Sequence, residues 1–147
     1  MPLKMTAEEI EAFLDREFPQ VGGQFAIEAI SDGAATVRLR VAEKHLRPGN
    51  TVSGPSMFSL ADVSAYILTA AMIGPYALAV TTNCSIDSMR KPAAGCDLIA
   101  QAQMLKLGRQ LAVIDVQMFS EGGDKPVARA TLTYALPPGS RDATPTA

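Results

Sequence analysis

Asp62 stands alone. It is the only formal charge between Pro55 and Ile73, and an ionised carboxylate within an apolar helix is costly to desolvate unless it is paired, protonated or at work. Just ahead of it, Ser53-Gly54-Pro55 reads as a helix start, with Ser53 as a cap and Pro55 at the first helical position, where its missing N–H costs nothing. Free N–H groups at a helix start receive a negatively charged oxygen. Pro55 has no N–H to offer, so that role falls to Gly54 or to residues beyond the proline. Asp62 would then deprotonate a water or attack as a nucleophile, and the sequence leaves both routes open. The blander readings are a solvent-facing or locally paired acid and an ordinary helix start.

The elements that must hold these groups follow from spacing. Thr6 and Glu9 form a capping-box pair, and Ile10, Phe13, Leu14 and Phe18 continue an apolar face until Pro19, which predicts a short amphipathic helix. Gln24 to Ile30 and Ala34 to Val41 alternate as strands around a Ser31-Asp32-Gly33 turn. Glu43 to Thr51 reads as a loop delivering the chain to the central helix, which Gly74-Pro75 closes. Four further strands are expected at Ala77 to Met89, Leu98 to Leu107, Gln110 to Ser120 and Val127 to Leu136.

A helix apolar on almost every side needs a wrapper, and a curved antiparallel sheet of about six strands supplies one. The class is therefore α+β. Ala61, Ala65, Ala70 and Ala71 allow the sheet to approach closely. Ser59, Asp62, Tyr66 and Thr69 recur every three or four residues and share a narrow polar stripe. One domain over residues 1–137 is expected, with a frayed tail at 138–147.

Bulk composition removes several function classes. With 13 basic and 15 acidic residues the chain has no footprint for nucleic acid. Pro55 to Val80 is long enough to span a membrane, but Asp62, scattered hydroxyl residues and the lack of flanking cations favour a soluble core helix. Met1 to Arg16 carries Glu8, Glu9, Glu11 and Asp15 rather than a basic start and apolar centre, so an export signal is not expected. Cys84, Cys96 and the single His45 lack metal-ligand spacing, and the cysteines read as buried small residues in a reducing cytoplasm. His45 reads as a loop residue.

From about His45 to Leu136 the chain resembles the hotdog-fold acyl-CoA thioesterases, in the PaaI-like branch named for phenylacetic acid degradation. The resemblance rests on the glycine helix start, Ser59-Leu60-Ala61-Asp62, Val80-Thr81-Thr82-Asn83, the Arg90-Lys91-Pro92…Gly95 turn and Leu107-Gly108-Arg109. It implies a sheet wrapped around one long helix, homodimers joined sheet edge to sheet edge, often paired into tetramers, and active sites between subunits. It also implies an acyl-CoA substrate, with coenzyme A as part of that substrate and no separate cofactor or metal.

Residue by residue, the family's helix acid is Asp62 and its first glycine is Gly54. Its histidine position holds Ser53, its second glycine Pro55 and its loop asparagine Arg47, with Asn50 close by. Thr81 corresponds to the hydroxyl residue that assists water, and Asn83 would follow on the same strand face. Arg90 and Lys91 would attract the phosphates of coenzyme A. Lys106 and Arg109 are a second cationic pair. The departures at Arg47, Ser53 and Pro55 motivate an alternative, a hotdog protein that binds acyl-CoA or an apolar acid without turnover. An acyl-CoA hydratase is a third possibility that the sole His45 fits poorly.

Overall fold

Helix α1 spans Ala7–Glu17 and begins on the expected capping box, with the Thr6 side chain accepting from the Glu9 N–H and the Glu9 carboxylate from the Thr6 N–H. Its apolar stripe buries Ile10, Phe13 and Leu14. The computed structural model describes residues 2–141. Strands β1 (Phe25–Ser31) and β2 (Ala34–Leu39) pair as the expected hairpin, with a register shift between Ile27 and Ala29.

The central helix α2, Gly54–Ile73, is followed by β5 (Val80–Ser88), β6 (Leu98–Leu107), β7 (Leu111–Ser120) and β8 (Ala128–Ala135). One antiparallel six-stranded sheet results, in the order β1-β2-β6-β7-β8-β5. The expected sheet of about six strands around one long helix, with a short N-terminal helix, is the fold observed.

Fourteen of the 20 residues of α2 are buried. This is the one helix long and apolar enough to cross a membrane among the described residues, and 78% of its apolar window lies inside the fold, the position of a core helix. Close approach uses small side chains on both partners. Ala61, Ala65 and Ala71 on the helix and Ala100, Ala112 and Ala128 on the strands have no exposed surface. Leu60, Ile67 and Leu68 fill the space between, with Val37, Ile114 and Leu132 from the sheet.

Four local expectations change. The stretch expected as a loop from Glu43 to Thr51 contains a 3-10 turn, Glu43–His45, and a ribbon of β3 (Leu46–Arg47) with β4 (Thr51–Val52). His45 is buried at its base rather than lying in an open loop. Cys84 and Cys96 are free thiols, half-buried rather than buried. At the C-terminus, Pro138–Arg141 form a turn, and Arg141 Nε donates to the Gly108 carbonyl at 3.3 Å. The expected tail at 138–147 thus starts as a turn docked on the sheet, and its part from 142 onward lies outside the described residues.

Candidate active site

Asp62 is half-buried on α2 and is held by two strands. Thr81 Oγ1, on β5, donates to Asp62 Oδ1 at 2.5 Å, and Tyr134 Oη, on β8, lies 2.8 Å from the same oxygen and 2.9 Å from the Asp62 carbonyl. Oδ2 has no hydrogen-bond partner among the described residues, so one oxygen is fixed and the other remains available. Burial, reinforced by the Asp62 charge, pushes the Tyr134 phenol well above its ordinary pKa, which keeps it a neutral donor. The same two causes raise the Cys84 thiol.

Asp62 opens into a cleft of about 280 Å³. Thr81, Val80 and Ala79 line it together with the largely buried Tyr66 and Tyr134. Glu17 and Phe18, at the C-terminal end of α1, also line it. The Tyr66 hydroxyl donates to the Ala77 carbonyl at 2.9 Å, and burial followed by the Glu17 charge raises its pKa.

The helix start forms a second, separate cleft of about 370 Å³. Ser53 is the N-cap, accepting from the Ser56 N–H at 3.3 Å, as its reading as a cap requires. Gly54 is the first helical residue, so Pro55 takes the second position rather than the expected first. Ser56 N–H is satisfied by the cap, Met57 N–H bonds the Ser53 carbonyl, and Pro55 has no N–H. Gly54 therefore carries the one N–H of this turn without an acceptor among the described residues. A Cβ built on Gly54 would meet nothing within 4 Å. Packing within the chain thus does not require glycine here.

Arg47, Arg90 and Lys91 line this second cleft together with Gly54, which brings Arg47 beside the Arg90-Lys91 pair. Arg90 Nη1 is tied to the Pro126 carbonyl at 2.6 Å. Asn50 lines neither cleft: it sits at the ribbon tip with φ 64°, and its N–H bonds the Arg47 carbonyl. Its residue type serves the left-handed turn.

Asn83 is a correction. The register of β5 against β8 shifts between Thr81 and Asn83, so strict alternation breaks. Thr81, Cys84 and Ile86 face inward, while Asn83 is exposed. Tyr134 was missed, although a signal existed: it shares the inward face with Ala130 and Leu132, and a buried tyrosine needs a partner for its hydroxyl.

The Thioesterase superfamily model matches residues 49–127. This chain belongs to that superfamily. Among curated superfamily relatives, acyl-coenzyme A thioesterase PaaI of Escherichia coli (strain K12) is 31% identical over 96 residues, covering 65% of this chain and 66% of that protein. A provisionally named esterase of Archaeoglobus fulgidus is 35% identical over 83 residues, 56% of this chain and 52% of its own length. Both matches fall just or well short of two thirds of the relative. Among solved structures, a provisionally assigned thioesterase from Silicibacter sp. TM1040 is 57% identical, with a TM-score of 0.88 and coverage of 94% of this chain and 96% of that one. The phenylacetic acid degradation protein PaaI of Thermus thermophilus, as a point mutant, is 28% identical with a TM-score of 0.69, covering 81% and 99%. The PaaI-like hotdog resemblance is borne out.

Proposed function

We propose that this superfamily member is an acyl-CoA thioesterase that releases a free acid and coenzyme A at a site completed between two copies of the chain. The observation that carries this reading is the division of the site. Gly54 and Asp62 are eight residues apart on one continuous helix, about 12 Å along its axis. The Gly54 N–H and the Asp62 carboxylate of one chain therefore cannot act on one thioester carbon.

Strand β5 offers the means to unite them. It is an edge strand, so its outer hydrogen-bonding groups await a partner. Exposed Leu78, Val80 and Met89 lie at or just beyond its two ends. The Asp62 cleft includes the start of β5 at Val80 and Thr81, and the basic cleft includes its end at Ser88. Antiparallel pairing of β5 with the β5 of a second copy brings the start of one strand beside the end of the other. Each acid then meets the partner's helix start, and a homodimer has two such sites.

In that assembly the thioester oxygen accepts from the Gly54 N–H as negative charge develops, an interaction typically worth about 3 kcal/mol in the transition state. The free Oδ2 of Asp62 takes a proton from water or attacks the carbonyl carbon. Thr81 and Tyr134 hold Oδ1 and so aim it. Arg47, Arg90 and Lys91 attract the phosphates of coenzyme A. The reaction needs no separate cofactor.

Thiol release from a panel of acyl-CoA thioesters by wild type and Asp62→Asn tests the reading. Wild type should turn over at least one member, and the variant should lose about 10² to 10⁴ in rate. A fully active Asp62→Asn would remove the carboxylate from the mechanism, and tight binding without thiol release would make the chain a carrier.

A further inference from the structure

The two clefts differ in charge. Arg47, Arg90 and Lys91 line the one beside Gly54, whereas the charged groups lining the one beside Asp62 are two acids, Asp62 itself and Glu17. Phosphates belong with the cations and are repelled by the acids. On the thioesterase reading, on which this inference rests, the nucleotide end of the substrate therefore occupies the basic cleft and the acyl group enters the cleft beside Asp62.

Two of the residues that line that acyl cleft, Glu17 and Phe18, come neither from the sheet nor from the central helix but from the end of α1. Phe18 is half-buried, its ring set edge-on against Tyr66 with centroids 5.9 Å apart and planes at 79°. Tyr66 in turn stacks on Phe13 at 6.1 Å and leans on Tyr134 at 6.3 Å, so an aromatic file runs from α1 to the residue that holds Asp62. The Phe18 N–H closes α1 on the Leu14 carbonyl at 2.7 Å, and Phe13 is 2% exposed. Phe18 is thus mounted on a docked helix rather than on a loose lid.

We infer that Phe18 is the end wall of the acyl pocket and sets the longest acyl chain that the site buries. The selection is by length and bulk of an apolar acyl group. Chains that stop short of the Phe18 ring gain burial with every methylene, and longer ones must turn back into solvent. Glu17 at the same rim disfavours acyl groups that end in a carboxylate.

S-alkyl coenzyme A thioethers of increasing chain length test this by calorimetry, because they bind without being hydrolysed. In wild type each added methylene should tighten binding by about fourfold until the chain meets the wall, after which affinity levels off. Phe18→Ala should move that levelling to longer chains, and Phe18→Trp should move it to shorter ones. The opposed shifts separate a wall from a general loss of structure, since damage to the fold weakens binding in both variants. The inference fails if the levelling occurs at the same length in all three proteins, or if wild type shows no dependence on length. Absence of thiol release from acyl-CoA by wild type would sink the thioesterase reading while leaving the shift in chain length to be read from the thioethers.

Discussion

The two clefts are finished to different degrees. Around Asp62 nearly everything is supplied by the chain itself: two hydroxyls on Oδ1, aromatic rings beneath, and α1 across the end. Around Gly54 the chain leaves an N–H without an acceptor among the described residues, a glycine that its own packing does not need, and three cations around an open hollow. On the proposed mechanism the acid half holds one geometry and the helix-start half receives the thioester oxygen. A catalytic carboxylate must be aimed before substrate arrives, whereas an oxyanion donor must stay vacant until then.

This contrast is broken most severely at Gly54. Gly54→Ala should fold with an unchanged or slightly raised melting temperature, since the added Cβ meets no neighbour and alanine is the better helix former. On the proposed mechanism a methyl group beside the Gly54 N–H hinders the approach of the thioester oxygen, and thiol release should fall by about 10² or more, as for a lost oxyanion donor. A normal rate in this variant would show that the helix start takes no part.

Among the groups that support the acid, rather than the acid itself, the expected loss is smaller. Tyr134→Phe removes one of the two donors to Oδ1 and leaves Thr81 in place, so kcat should fall by about tenfold with KM little changed, in line with one hydrogen bond to a charged group. A change in KM alone would assign Tyr134 to packing rather than to aiming the carboxylate.

The smallest effect concerns the support beneath the basic cleft. His45 Nδ1 accepts from the Ala42 N–H at 2.8 Å, its Nε2 lies 3.0 Å from Gln24 Oε1, and its carbonyl accepts from the N–H of the α2 cap Ser53. Burial, then the nearby Lys44 charge, depresses its pKa below the ordinary value, so the fold prefers the neutral ring. Its contribution to stability should be complete above about pH 6.5, where the unfolded imidazole is already neutral, and lost as pH falls through the lower folded value. Melting temperature against pH should show this acid slope in wild type and a flatter one in His45→Asn.

Legibility in the sequence follows the same division. The fold could be read because its determinants are local: the Thr6–Glu9 box, the alternation of Val127 to Leu136, and an apolar helix that only a wrapping sheet can bury. Asp62 could be read because a single charge in such a helix violates the pattern. Asn83 could not be placed, since one extra residue in β5 turns its side chain outward, and a bulge leaves no mark in the residue types. Phe18 went unrecognised as a wall because it lies 44 positions before Asp62, and only the docking of α1 on Tyr66 brings the two to one cleft. The ribbon at Arg47 and Thr51 was hidden by Pro48-Gly49-Asn50, which signals a turn but not the short strands on either side.

Mixing two inactive chains tests the division between subunits most directly. Asp62→Asn and Gly54→Ala should each retain about 1% of wild-type activity or less alone, and co-refolded in equal amounts they form mixed dimers in which one of the two sites has both an intact acid and an intact helix start. Random pairing then restores about one quarter of wild-type activity. No recovery, in a mixture shown to contain the mixed dimer, would contradict the account and place Asp62 and Gly54 outside a common intersubunit site.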